Sequence, residues 1–173
     1  MKKVLLILIV VSMICGCSKD SETTEIVDEN VIATFKQSSA ESDVTKFFAS
    51  ELPLMRKYYD FETPFEWKGE IHANTCKLIN SMEEFRAFYY GEEPLPQIDF
   101  SNQTLIIGWQ EFGTMDGLEK LELQKDAKGY TLNIYTFRHK GLHVVDMCWL
   151  GYWGIFPKQT KEPVGVNIII NTK

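Results

Sequence analysis

Few residues in this chain have types and spacings that could do chemistry together. His139-x-x-x-His143, with Asp146 close by, is the grouping most like a metal site. On a helix the two imidazoles would share a face. Here Lys140-Gly141 lies between them and both flanks read as strands, so the side chains need not converge. Cys148 with His139 or His143 could be pictured as a thiol nucleophile and its base, but no third orienting group or surrounding motif supports the pair. Glu92, Glu93 and Asp99 are carboxylates close in sequence. Glycoside hydrolysis needs two carboxyls held across one bond at a set separation, and Asp99 before Phe100-Ser101 reads more simply as a turn residue. GxSxG, P-loop and Rossmann fingerprints are all absent from the sequence. The expectation is therefore no catalytic residue, no metal and no cofactor.

The most unusual stretch is Trp149-Leu150-Gly151-Tyr152-Trp153-Gly154-Ile155-Phe156. Aromatic rings interrupted by glycines could sit on a loop and offer flat faces to a sugar or a protein partner. Trp149, Tyr152, Trp153 and Phe156 are the candidate ligand or partner surface. The competing reading is that these rings plug one end of a sheet.

The first seventeen residues give the firmest signal. Lys2 and Lys3 precede an apolar run, Val4–Ile14. The run is too short to span a bilayer of ~30 Å but fits the apolar region of a signal peptide. Ile14-Cys15-Gly16-Cys17 resembles a lipobox at all four positions: aliphatic, small, small, cysteine. The resemblance implies cleavage before Cys17 and a diacylglycerol thioether on its sulfur, usually with a third acyl chain. Each buried methylene adds ~0.8 kcal/mol, so two or three chains make a lasting membrane anchor. The expected organisation is a signal peptide over 1–16, the lipidated Cys17 and an acidic tether to residue 30, and one globular domain over 31–173. Ser18–Asn30 is too polar to order itself by burial and reaches on the order of 45 Å when extended. Acidic residues just after the lipidated cysteine resemble the export signal of Bacteroidetes surface lipoproteins; a plain spacer explains them equally well.

Loss of the signal takes the formal net charge from −6 to about −8. No basic stripe exists, which argues against nucleic-acid binding. Of the four cysteines, Cys15 leaves with the signal and Cys17 carries lipid. Cys76 and Cys148 remain, in a compartment where disulfides persist. Paired, they would close a long loop; otherwise they are two separate buried thiols. The sequence leaves both open.

The elements that must position these residues are mostly strands. Val31–Phe35 alternates weakly. Ser42–Leu52 has Val44, Phe47, Phe48 and Leu52 at helical spacing. Leu54–Lys68 reads as irregular, and Glu70–Ile79 as a strand. Ser81-Met82-Glu83-Glu84 is a capping box opening a second helix, with Met82, Phe85, Phe88 and Tyr89 on its apolar face. Thr104–Phe112, Leu118–Lys125 and Tyr130–Phe137 read as a meander, Leu142–Trp149 as a fourth run, and Val164–Ile170 as a central closing strand. The expected class is α+β: a mainly antiparallel sheet of about five to seven strands with one or two short helices.

Some of this layout resembles a known family. The residues are Ser81–Tyr89, Ile98-Asp99-Phe100-Ser101, the strand Leu105-Ile106-Ile107-Gly108, the pair Gly129-Tyr130, and Phe156-Pro157-Lys158. Over roughly residues 70–171 the chain resembles uncharacterised Bacteroidetes lipoproteins that are distantly similar to the C-terminal domain of PrcB, a protease-complex subunit. The resemblance implies a small α+β domain and at most a protein-partnering role, and it transfers no site residue. The functional expectation is a lipid-anchored protein of the cell envelope, by expectation the outer membrane, with the periplasmic or outward face undecided. It would act as a non-catalytic protein-binding or assembly module. A glycan-binding accessory lipoprotein using residues 149–156 is the alternative. The expected partners are the membrane, through the N-terminal lipid, and an envelope protein or glycan.

Overall fold

The computed structural model describes residues 30–57, 63–67, 75–113, 116–127, 129–141, 147–160 and 165–173. The expected signal peptide, Cys17, the tether up to residue 29, His143 and Asp146 lie outside the described residues.

Two four-stranded sheets form the domain. In chain order the elements are β1 (Val31–Phe35), α1 (Ser42–Glu51), β2 (Met55–Lys57), β3 (Thr75–Ile79), α2 (Met82–Phe88), β4 (Gln103–Phe112), β5 (Gly117–Asp126), β6 (Gly129–Arg138), β7 (Cys148–Pro157) and β8 (Gly165–Thr172). One sheet runs β1-β5-β6-β8 and the other β2-β7-β4-β3. All pairings are antiparallel except β6 with β8. The α+β class, mainly β, is as expected. The strands, however, divide between two sheets, and the short β2 brings the described strands to eight.

The reason is visible in β4, which is buried at every position from Thr104 to Gln110. A strand hidden on both faces needs a layer on each side. One face, carrying Leu105, Ile107 and Trp109, meets the helices and the 63–67 segment. Trp67 packs on Trp109 at 6.1 Å and edge-on to Phe88 at 4.8 Å. The opposite face meets the other sheet. A Cβ placed on Gly154 of β7 would come within 3.0 Å of Leu121 and of Phe35. Partners across a ladder share a face, so Leu121, Leu123, Leu132 and Ile134 all point into this second core, and all are fully or almost fully buried.

The helices form as their sequences dictate. The Ser81 hydroxyl accepts from the Glu84 amide at 3.0 Å. The Glu84 carboxylate reaches back to the Asn80 N–H at 2.6 Å, one residue earlier than the usual capping-box partner. Phe85 and Phe88 are buried on α2, and Val44, Phe47 and Phe48 on α1. The Tyr89 hydroxyl donates to Glu51 at 2.8 Å, tying the two helix ends together. Burial, followed by this carboxylate hydrogen bond, pushes the Tyr89 phenol up to about 12.

Two sequence expectations change here. The 149–156 stretch is the interior of β7, an inner strand between β2 and β4. The closing strand expected over 164–170 is described from residue 165 on, as β8, and lies at a sheet edge, not at its centre: among the described strands β8 has β6 alone as neighbour.

Candidate functional site

The aromatic surface expected from the sequence is corrected by burial. Trp149 and Tyr152 are fully buried, Trp153 is 3% exposed and Phe156 1%. Trp153 stacks on Phe48 at 4.4 Å and meets Phe35 edge-on at 5.3 Å. Phe156 packs against Phe35 at 6.0 Å, and Trp149 against Trp109 at 6.2 Å. The glycines between them allow close approach. A Cβ on Gly151 would come within 2.9 Å of the Pro53 carbonyl oxygen. These rings form core and present no binding face.

Of the two readings left open for Cys76 and Cys148, register disfavours the disulfide. Cys76 on β3 lies opposite Gly108, and Cys148 on β7 lies opposite Phe112. β4 runs between them. Two strand spacings alone separate them by about 10 Å, beyond the ~7 Å limit on Cα separation in a disulfide. Both remain thiols, and the Cys148 thiol points to the Gly113 carbonyl at 3.6 Å.

The other candidates hold structure. The Asp99 carboxylate accepts from the Ser101 N–H at 3.1 Å and the Asn102 side-chain amide at 2.9 Å, as a turn residue does. Led by the Ser101 hydroxyl, these hydrogen bonds hold it below the usual carboxylate range. The Glu93 N–H donates to Tyr89 Oη at 3.1 Å. His139 is exposed and its backbone N–H donates to the Asp116 carboxylate. Among the described residues no group of three His, Cys, Asp or Glu side chains could hold a metal ion. A groove of about 410 Å³ lies beside α2, lined by Glu66, Lys77, Leu78, Glu84, Ala87 and Phe88. The Lys77 ammonium sits over the Phe88 ring at 4.3 Å, and Glu84 is occupied in the cap.

The motifs at Ile98–Ser101 and Phe156–Lys158 do converge. The Lys158 ammonium donates to the carbonyls of Asn80 (2.8 Å) and Phe100 (2.6 Å), and its N–H donates to Asn102 (2.8 Å). Beside it the buried Thr104 hydroxyl donates to Asn80 Oδ1 at 2.6 Å and accepts from the Gln159 N–H at 2.8 Å. This network pins three loops at one end of the sandwich. Thr104→Val keeps the shape but strands a donor and an acceptor. It is expected to lower unfolding free energy by about 1–3 kcal/mol, read from urea denaturation midpoints.

On the outer face of the β1-β5-β6-β8 sheet, the Glu122 side chain is only 8% exposed. It accepts from Lys120 at 2.7 Å, Tyr135 at 3.0 Å and Gln124 at 3.1 Å. Burial pushes the carboxyl up, but these donors outweigh it and the net shift is downward. A group lowered in the folded state contributes stability above its unfolded value, and that contribution is lost as pH falls through the folded value. Wild type is therefore expected to melt above Glu122→Gln at neutral pH. The gap should close as pH drops below the ordinary glutamate range.

The remaining feature is the edge at β8. The strand reads Gly-Val-Asn-Ile-Ile-Ile-Asn-Thr and contains neither charge nor proline. Lys173 fixes the direction of its backbone groups. Its N–H donates to the Arg138 carbonyl and its carbonyl accepts from the Lys140 N–H, both at 2.9 Å. The Ile169 carbonyl also faces β6, accepting from Thr136 Oγ1 at 3.3 Å. In a parallel pairing alternate residues bond to opposite sides. Odd-numbered residues of β8 thus face β6, and Val166, Ile168, Ile170 and Thr172 aim their N–H and C=O groups away from it. Ile170 is 46% exposed. Sequence reasoning missed this site because strand composition does not report strand order. Compared with known proteins, the chain matches no family model, no curated protein and no solved structure.

Proposed function

We propose that the chain is a lipid-anchored cell-envelope protein whose domain is a non-catalytic protein-binding or assembly module, joined to its partner through the β8 edge. The single observation that carries the reading is this edge: eight residues, β-branched, uncharged and proline-free, with a row of outward backbone donors and acceptors. Edge strands are usually blunted by charge, proline or a bulge. An unblunted one suits strand addition, in which backbone hydrogen bonds supply affinity. The lipobox at Ile14–Cys17 supports the envelope location, and the PrcB-like resemblance supports a protein partner. The rings that a glycan-binding reading needs are in the core.

The test is photo-crosslinking in intact cells, with a photoreactive residue at Ile170 and, as control, at Ala127 in the exposed β5–β6 turn. Protein adducts are expected at Ile170 only, and Ile168→Pro should remove them. Equal labelling at both positions would sink the reading. In the same cells, Cys17→Ala should shift the protein from the membrane to the soluble fraction.

A further inference from the structure

We propose that the partner of β8 is β8 of a second copy of this chain, paired antiparallel about a two-fold axis at Ile169; the inference rests on the edge reading above. The segment Asn167-Ile168-Ile169-Ile170-Asn171 reads the same in both directions. Pairing two copies antiparallel about Ile169 sets Asn167 opposite Asn171 of the second copy, Ile168 opposite Ile170, and Ile169 opposite itself. A symmetric dimer needs this kind of self-complementary patch.

The backbone agrees with the side chains. Ladder residues of an antiparallel pair exchange both hydrogen bonds. Centred on Ile169, those positions are Val166, Ile168, Ile170 and Thr172, the residues whose backbone groups point away from β6. A centre midway between two residues would aim the outward groups at residues whose own groups face β6; centres on Ile168 or Ile170 would match the backbone too, and the Asn-Ile-Ile-Ile-Asn palindrome selects Ile169. The side chains also sort by face. Ile168 packs against the core, and Ile170, on the same face, is exposed. In the dimer the second copy's Ile168 covers it. On the other face, Asn167 donates to Asn133 Oδ1 at 3.1 Å and Asn171 to Glu119 at 2.6 Å. Each amide keeps a second hydrogen and its own oxygen for the asparagine across the seam. The two sheets join into one of eight strands. A single strand pair buries little area, and anchoring both copies to one membrane raises their effective concentration.

The test uses the full-length protein in its membrane. Ile169→Cys puts two thiols at a non-hydrogen-bonded antiparallel pair, with Cα atoms ~4.5 Å apart. Asn171→Cys faces Asn167 of the second copy and serves as the register control. Under a mild oxidant, Ile169→Cys is expected to give at least about tenfold more disulfide-linked dimer than Asn171→Cys or wild type. Adding Ile170→Pro, which removes an outward N–H and spares the β6 ladder, should abolish the dimer at an unchanged melting temperature. Ile170→Lys should do the same by charge. A monomeric, normally melting Ile169→Cys protein overturns the proposal. If a photoreactive residue at Ile170 then still captures a different envelope protein, the second-copy inference falls and the edge reading stands. If it captures nothing, both fall.

Discussion

Trp153→Ala is expected to lower unfolding free energy by about 3–5 kcal/mol, the usual range for deleting a large buried ring. The ring is 3% exposed. It lies flat on Phe48 of α1 at an interplanar angle of 17° and edge-on to Phe35 of β1. Its backbone carbonyl accepts from the Gln37 amide at 3.3 Å. One side chain therefore joins β7, β1 and α1. Phe48 continues the stack to Phe85 of α2 at 6.2 Å. Flat aromatic walls held by three separate elements cannot close over the void, which puts the expected loss at the upper end. A loss of that size is a large part of the ~5–15 kcal/mol that holds a domain together. Urea denaturation should show a lower midpoint with an unchanged slope. A Trp on an exposed binding surface behaves differently: its removal leaves stability within about 0.5 kcal/mol. A near-neutral Trp153→Ala would return this ring to the surface and revive the aromatic-loop reading.

The contrast between those two readings shows what the sequence could and could not say. The capping box at Ser81–Glu84 is local chemistry, and the helix starts where it indicates. The β5–β6 hairpin was legible from the alternation on both sides of a turn, and Gly129 there takes φ 140°. β4 was legible as an apolar run of strand length, with Leu105, Ile107 and Trp109 at two-residue spacing. β7 was not: like β4 it is buried on both faces and lacks polar alternation, and its two glycines also break the apolar run. Its glycines imitate a loop, yet Gly151 and Gly154 mark where Pro53 and Leu121 come close. That contact exists only once the layers are stacked. Cys76 and Cys148 posed the same difficulty: chain separation carries no register, and β4 lies between them. The composition of 164–170 announced a strand but not its place, since β-branched residues suit centre and edge alike. The palindrome around Ile169 is plain in the sequence. It acquires meaning only when β8 is an edge and its even-numbered residues face outward.

Gly108→Ala is the other change expected to act strongly, by about 3 kcal/mol or more, through overpacking rather than a void. Gly108 lies in β4 opposite Tyr152 on one side and Cys76 on the other. The Tyr152 ring crosses over Gly108 to donate its hydroxyl to the Thr75 carbonyl at 2.8 Å. A methyl group at Gly108 would fall far inside contact distance of the Tyr152 hydroxyl, its ring carbon Cζ and the Thr75 carbonyl oxygen. None of the three can retreat easily. Thr75 is held by its ladder pairing opposite Trp109. Tyr152 is fully buried, and burial, then the neighbouring Cys76, pushes its phenol well above 10, so it stays a neutral donor. Tyr152→Phe alone should cost only about 1 kcal/mol, one hydrogen bond. Tyr152→Leu in the Gly108→Ala background removes the ring overlap but not the Thr75 overlap, so it should recover part of the lost stability and no more. A double-mutant cycle measures that coupling. Gly113→Ala is the control: nothing lies within 4 Å of its added Cβ, and it should be neutral or stabilising by up to about 1 kcal/mol. If Gly108→Ala melts like Gly113→Ala, the Tyr152 ring does not lie across β4, and its hydrogen bond from β7 to Thr75 of β3 is wrong.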